Sequence, residues 1–465
     1  MKKKDLLNLG VPESCIGPAI ECVKNAGKKG FFHGKTAKSV LRHIVDDPDK
    51  FSQDEYFAPF ATALLAERIE PPAPKEPIPF KQWGTDIEPA AIEQMRDVCR
   101  IPQARYAAVM ADSHLGYSMP IGGVLALEDT IFPMGVGVDI SCSVCLSIVD
   151  KDPKTLVDVF GGKQAENYVD SLFKGTRFGI GASWKPHLNH PVMDKDWNIT
   201  SITKSLKDKA LQQLGTSGSG NHYCSVCLLR VENTIEINGT KFAPGEYVAI
   251  HSHSGSRGTG AAICSYYDKV ARNKVRKGEF ACLDMNSEAG QEYWLAMNLM
   301  HDYTRANHEL IHKNVSQLIG TELLTTIFHS HNLAWVEEHY GQKLYVHRKG
   351  ATPAESGSKG IIAGTMADPS FLVLGKGNPE SLKSASHGAG RRMSRTQAIK
   401  TFNWNVWKSK LKQRQVRLLA GGLDEVPDAY KNIFEVMRAQ QDLVEILAEI
   451  HPKIVLMSDD GKRED

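Results

Sequence analysis

Four histidines in this 465-residue chain sit beside glycine, serine or asparagine where an apparent strand ends: His222 in GSGNHY, His253 in HSHSGSRG, His331 in HSHNLAW and His387 in SASHGAG. Small neighbours let a metal ion or substrate approach closely and let the backbone take positive φ. Any one of them alone reads as an ordinary surface or core residue, so it is the shared context that points to a site. Asp139 and Cys142, in MGVGVDISCSVC, add a carboxylate and a thiolate. Oxygen, nitrogen and sulfur donors together suit a transition metal. His387 differs from the rest in having Arg391, Arg392 and Arg395 just downstream.

Other stretches offer competing chemistry. CSVC occurs twice, at Cys142–Cys145 and Cys224–Cys227, and on paper resembles a split zinc site. Both pairs fall in expected strands, where positions i and i+3 face opposite sides, so Cys145, Cys224 and Cys227 read as buried core thiols. GTSGSGN lacks the lysine of a phosphate loop. HRKGAT, with Arg348 and Lys349 before a glycine, suits an anion or a solvated basic turn equally. The segment FNWNVWKSKLKQRQVR, residues 402–417, could line an RNA groove, though tryptophans at helical spacing more often form core with lysines on the wet face.

These residues need a scaffold. Hydrophobic content of 42% and charged content of 24% describe a folded globular chain, and a net charge of +2 gives no global attraction to nucleic acid. Nine scattered cysteines do not form a secreted disulfide framework. No apolar run approaches membrane-spanning length and MKKKDLLNLGVPES lacks a signal-peptide core, so a cytoplasmic protein without a membrane partner is expected. VLRHIV and FATALLAERI predict a helical N-terminal extension over residues 1–70, and the prolines of PPAPKEPIP predict a linker over 71–81. The rest, 82–465, reads as an α+β body with a large mixed sheet and surrounding helices. Strands are expected at AAVMADSHLGYSMPIGGVLAL, CSVCLSIV, HYCSVCLLRVE and EYVAIHSHSGSRGTG, and helices near 285–320, 396–420 and 428–450.

In chain order, DSHLGYSMPIGG, GVGVDISC, GSGNH, HSGSRG, SHNLAWVEEH, HRKGAT, AGTMADPSF and HGAGRRMSR resemble the motifs of the RtcB family of RNA ligases, over roughly residues 82–457. The resemblance implies an enzyme that joins RNA 3′-phosphate or 2′,3′-cyclic phosphate ends to 5′-hydroxyl ends, in RNA repair or tRNA splicing, with GTP and two manganese ions. By softness alone the Cys and His donors favour zinc; the family implies manganese. Asp139, Cys142, His222, His253 and His331 are then the metal ligands, with Cys142 bridging. His387 is the nucleophile that takes GMP, and the glycines beside it clear the path to phosphorus while the arginines meet phosphates. Asp112 is an acidic residue near the metals. Asn221, Asn332, Ala363, Gly364, Thr365, Met366, Ser370, Gly388, Ala389 and Gly390 match the nucleotide pocket, and Arg257, Arg348, Lys349 and Arg391 are read as RNA-binding.

Two positions depart from the family pattern: Ser225 stands where a glutamate closes N-H-x-x-E, and Met457 where a lysine follows the last strand. Both belong to the base-binding side of the family's pocket. Altered nucleotide use therefore stays open, as do a metal-dependent RNA end-processing or end-capping enzyme and a non-catalytic RNA-binding relative. An archease-type activator and a monomeric state are further expectations.

Overall fold

A computed structural model describes residues 3–32, 36–68, 75–276 and 278–459. The chain divides into two compact units, Met1–Pro74 with Arg276–Glu279, and Lys75–Val275 with Phe280–Asp465. In the first, helices Lys3–Leu7, Ile16–Lys28, Ala37–Asp46 and Ala58–Arg68 enclose Leu6, Ala19, Leu41, Ile44, Phe57 and Phe60. The Thr36 hydroxyl caps the third helix by accepting from the Ser39 amide. Of the expected linker, Pro71, Pro72, Ala73 and Pro74 lie outside the described residues, as do Asp460 to Asp465.

The larger unit is built on two sheets. One orders the strands Lys81–Gln82, Ala104–His114, Ile121–Leu127, Gln342–Lys349 and Asn332–His339, the first pair parallel and the others antiparallel. The other runs Leu323–Ser330, Ser143–Val149, Gly245–Ser254, Tyr223–Val231, Val444–Met457, Ser370–Gly375 and Lys359–Ile362, all antiparallel, with Arg417–Ala420 parallel beside Val444–Met457. Its end strands curl towards each other, and the Ile361 amide donates to His329 Nδ1 at 3.0 Å. This is the α+β architecture with a large mixed sheet. The Glu288–Ile319 helix lays Ile311, Val315 and Ile319 on the sheet residues Val226, Val248 and Ile250. Its Ser287 cap accepts from the Gly290 amide, and Gly320, at φ +72°, ends it in the left-handed region. Among the described residues no helix is long and apolar enough to cross a membrane.

Two helical expectations need correction. Residues 396–420 form helices Arg395–Thr401 and Trp404–Gln413 but end in the strand Arg417–Ala420. Over 428–450 only Ile433–Ala439 is helical, and Val444 starts a 14-residue strand. Apolar residues at 446, 448 and 450 satisfy the strand period as well as the helical one, and neighbours on both sides supply the hydrogen bonds. In the 404–413 helix Trp407 and Leu411 are buried, while Lys410 and Arg414 pair with Asp428 and Asp368 on the surface. The core reading of that segment holds.

Arg348 overturns its RNA-binding assignment. It is fully buried and forks onto both oxygens of Glu337, with Nη2–Oε2 at 3.0 Å. Its Nε donates to Ser384 Oγ at 2.8 Å and its Nη2 to the Leu382 carbonyl, while the guanidinium lies 4.9 Å from the Trp335 ring. It therefore ties the five-stranded sheet to Ser384–Ser386, the short strand that delivers His387. Burial alone would raise the Glu337 pKa, but Arg348 and His339 outweigh it and bring it down to about 2. Because the folded value lies below the unfolded one, this stabilisation, about 3 kcal/mol, is complete above pH ~4.5 and is lost as pH falls towards 2. Glu337→Gln should remove about 3–5 kcal/mol in denaturant melts at pH 7 and flatten the acid limb of the stability profile. An unchanged acid limb would contradict the ion-pair account.

Candidate active site

The proposed donors come from segments that end where the two sheets meet. Asp139 and Cys142 precede Ser143–Val149, His222 precedes Tyr223–Val231, His253 is the penultimate residue of Gly245–Ser254, and His331 follows Leu323–Ser330. All five are buried. Cys142 Sγ lies 3.0 Å from His253 Nε2 and 3.3 Å from His222 Nε2, His253 Nε2 lies 3.2 Å from His331 Nε2, and His222 Nε2 lies 3.2 Å from Asp139 Oδ2. Cys142 belongs to both possible ligand groups, one with His253 and His331 and one with Asp139 and His222.

The proton arrangement shows what the cluster lacks. His222 Nδ1 donates to the Ser217 carbonyl at 2.9 Å and His253 Nδ1 to the Asn221 carbonyl at 3.3 Å. A carbonyl can only accept, so each Nδ1 carries a proton, and each Nε2 is turned towards the thiol, with that of His222 also near the Asp139 carboxylate and that of His253 near His331. Burial, then neighbouring imidazoles, pushes His253 and His331 well below the ordinary histidine pKa, which keeps both rings neutral. His331 Nδ1 is buried with no hydrogen-bond partner. Burial raises the Asp139 pKa, yet the hydrogen bond and charge of His222, then Cys142 and Arg257, hold it below the usual carboxylate range. Carboxylate, thiol and imidazole donor atoms thus crowd together in two buried groups, each of which could hold a metal ion. The Cβ of any larger residue at Gly255 would be driven into the Asp139 carboxylate, and Ser141, at φ +59°, is held strained just before Cys142.

His387 stands next to this cluster, its ring centroid 4.8 Å from that of His331. Asp112, in the Ala104–His114 strand, receives three hydrogen bonds on Oδ2: His387 Nδ1 at 2.7 Å, the His387 amide at 3.0 Å and the Gly388 amide at 3.2 Å. Burial would raise its pKa, but the neighbouring His387 and the Gly388 amide outweigh that and bring it down, so the carboxyl stays ionised. The Nδ1 proton is thereby fixed, and Nε2 keeps its lone pair on a ring that lines a cavity of about 440 Å³. Gly390, at φ +72°, lets the HGAG turn lie against the Asp112 carbonyl, where a Cβ would collide.

The cavity is lined by the five donors together with Asn221, Asn332, Ala363, Gly364, Thr365, Met366, Gly388, Ala389, Gly390, Arg391, Lys349 and Met457. Asn332 reaches both sides, donating to the Asp139 carbonyl and accepting from the Gly350 amide at 2.7 Å. Ser370 lies behind the wall and accepts from the Gly364 amide at 2.9 Å. Besides Ser370 and Asp112, three assigned residues do not reach the cavity lining. Ser225 is buried in its strand and donates to the His251 carbonyl at 3.1 Å, and Arg348 is committed as described. Arg257 is buried at φ +60° with Nε donating to Thr216 Oγ1 at 3.2 Å, and burial pulls its pKa down to about 10, so an RNA-binding role does not fit it.

The arginines after His387 divide. Arg391 donates to the Asp424 carbonyl and to Tyr430, Arg395 pairs with Asp424 and Glu425, and Arg392 is exposed. Two of the three are thus fixed by groups of the segment LDEVPDAY, residues 423–430. His114 was also missed, although it shares a strand face with Asp112 at i+2. It lines the cavity, and burial brings its pKa down to about 4. A third donor group, Cys145, His308 and His312, is already hydrogen-bonded: Ser252 Oγ lies 2.7 Å from His308 Nδ1 and 2.7 Å from His312 Nε2. Cys145, Cys224 and Cys227 are buried free thiols.

A strand-end cluster of three imidazoles, a thiol and a carboxylate, beside a histidine held by Asp112, forms a site that could hold metal ions. Comparison with known proteins gives the family. The model described as "RtcB: tRNA-splicing ligase RtcB" matches residues 94–200 and 193–458. The chain is 31% identical over 408 residues to RNA-splicing ligase RtcB of Escherichia coli K12, covering 80% of this chain and 95% of that one. It is 30% identical over 424 residues to tRNA-splicing ligase RtcB of Archaeoglobus fulgidus, covering 74% and 86%. With RNA-splicing ligase RtcB homolog 1 of Entamoeba dispar it shares 29% over 443 residues, covering 79% and 82%. The chain belongs to the RtcB family.

If cations resolve the donor cluster, saturating divalent metal should raise the melting temperature of metal-stripped protein, by an amount equivalent to about 2.7 kcal/mol at 100 times the Kd. Cys142→Ala, which removes the donor common to both groups, should weaken metal binding more than about 100-fold by titration calorimetry. Equal affinity in wild type and variant would refute the shared-thiol geometry.

Proposed function

We propose that this chain is an RNA ligase that joins a 3′-phosphate or 2′,3′-cyclic phosphate end to a 5′-hydroxyl end through a covalent histidine–GMP intermediate on His387. The observation that carries the reading is the Asp112–His387 pair set against the donor cluster. Asp112 holds the Nδ1 proton, so Nε2 can attack the α-phosphorus of a nucleoside triphosphate; an N–P bond forms, the bond to the β-phosphate oxygen breaks, and pyrophosphate leaves. Asp139, Cys142, His222, His253 and His331 would hold two divalent ions, manganese by family likeness, which supply charge stabilisation at the phosphoryl oxygens. Gly388 to Gly390 leave the approach unobstructed, while Lys349 and Arg391 lie in the cavity wall. On this reading 82–465 is the catalytic body, residues 1–70 an added module, the chain a cytoplasmic monomer, and an archease-type activator a regulator of turnover.

One observation favours a variant of this function. Met457 lines the cavity, and Ser225 spends its hydroxyl on the His251 carbonyl, so neither supplies the carboxylate or cation of the family pattern. A pocket without those partners for a base edge discriminates less between nucleotides.

Incubation with manganese and α-labelled GTP should leave acid-labile label on the protein, absent from His387→Ala and reduced about 10²- to 10⁴-fold in Asp112→Asn. Label from ATP, CTP or UTP comparable with that from GTP would select the relaxed-nucleotide variant. Failure to label with any of the four would overturn the covalent mechanism.

A further inference from the structure

The loop from Leu115 to Met119 holds two large apolar side chains in water at the mouth of the cavity, Leu115 at 49% and Tyr117 at 55% exposure. Its backbone is nevertheless tightly fixed. The Gly116 amide donates to Gln94 Oε1 at 3.0 Å, and Gln94 Nε2 donates back to the Gly116 carbonyl at 2.7 Å. The Leu115 amide donates to Glu88 Oε1 at 2.5 Å, the Met119 amide to the Tyr117 carbonyl at 2.7 Å, and Lys349 Nζ to that same carbonyl. Ser118 sits at φ +60°, and a Cβ at Gly116 would come within 2.5 Å of the Met119 carbonyl oxygen. A loop this constrained does not bury its apolar groups by relaxing, so the ring is presented to whatever enters the cavity. Lys349, bound to the loop carbonyl, and the exposed Arg392 lie in the same lining. A rigid aromatic ring beside cations is the recognition chemistry of single-stranded nucleic acid: every base has a face to stack, and the cations meet the backbone.

We infer that Tyr117 is a stacking platform for the terminal base of an RNA end whose reacting group is presented to the His387 site, with Leu115 flanking that base. The inference rests on the ligase reading and names a contact to its polynucleotide substrate. It can be tested by fluorescence anisotropy with the full chain, manganese and two short RNAs, one ending in a 5′-hydroxyl and one in a 3′-phosphate. Each is also made with an abasic terminal nucleotide. Tyr117→Ala should weaken binding of one strand about 5- to 100-fold, the range for loss of one stacked base, while Tyr117→Phe stays within about twofold of wild type. The abasic form of that strand should bind wild type as weakly as the intact strand binds Tyr117→Ala, with no further loss when the two changes are combined. Additive losses with both strands, or Tyr117→Phe as weak as Tyr117→Ala, overturn the inference. The nucleotide-labelling experiment contains no RNA. Coupling without labelling would keep the platform and discard the covalent mechanism, and labelling without coupling would do the reverse.

Discussion

A single buried oxygen, Asp112 Oδ2, fixes which nitrogen of His387 faces a carboxylate and which faces the cavity. It gathers the imidazole Nδ1 proton and two successive backbone amides, so ring orientation, tautomer and the start of the HGAG turn are set together. The other oxygen, Oδ1, is buried with no hydrogen-bond partner among the described residues, which makes the carboxylate costly to keep unless its charge is used. Much of the surrounding structure serves this contact. Lys431 donates to the Ala111 and Ser113 carbonyls on either side of Asp112, Gln440 accepts from the Ser386 amide, and Arg348 anchors the strand from behind.

The donor cluster poses the complementary problem. Asp112 supplies a negative charge where a proton must be held, whereas Asp139, Cys142 and three imidazoles bring five donor groups together in two clusters that could hold metal ions. Outer contacts enforce this: the Ser217 and Asn221 carbonyls dictate the tautomers of His222 and His253, and Gly255 admits the Asp139 carboxylate. Ligand orientation is thus imposed by groups that never touch the ion. The two arrangements meet at His331 and His387, whose ring centroids lie 4.8 Å apart with the planes tilted by 44°, and both rings line the same cavity.

Residue types and their small neighbours made the donors legible in the sequence, and strand-end placement of His222, His253 and His331 followed from alternating apolar runs. The α+β class and the strands carrying Asp112 and His253 are equally legible, because each is a short run that ends in a glycine turn. What failed was local in another sense. Arg348 looked like a solvated or anion-binding cation because its partner, Glu337, lies on the paired strand rather than nearby in the chain. Arg257 follows glycine and serine as a loop residue would, but it opens a buried helix. The strand from Val444 was read as helix because its apolar spacing fits both periods and only its sheet neighbours decide. The Asp112–His387 contact spans 275 positions of chain, so no spacing rule could have drawn it.

The most direct measurement of the central claim is the nitrogen NMR spectrum of 15N-histidine-labelled protein, with the His387 signals assigned by their loss in His387→Gln. A protonated Nδ1 and an unprotonated, lone-pair Nε2 at neutral pH are predicted, with Nδ1 losing its preference for the proton in Asp112→Asn. A His387 ring whose proton resides on Nε2 in the wild type would contradict the account.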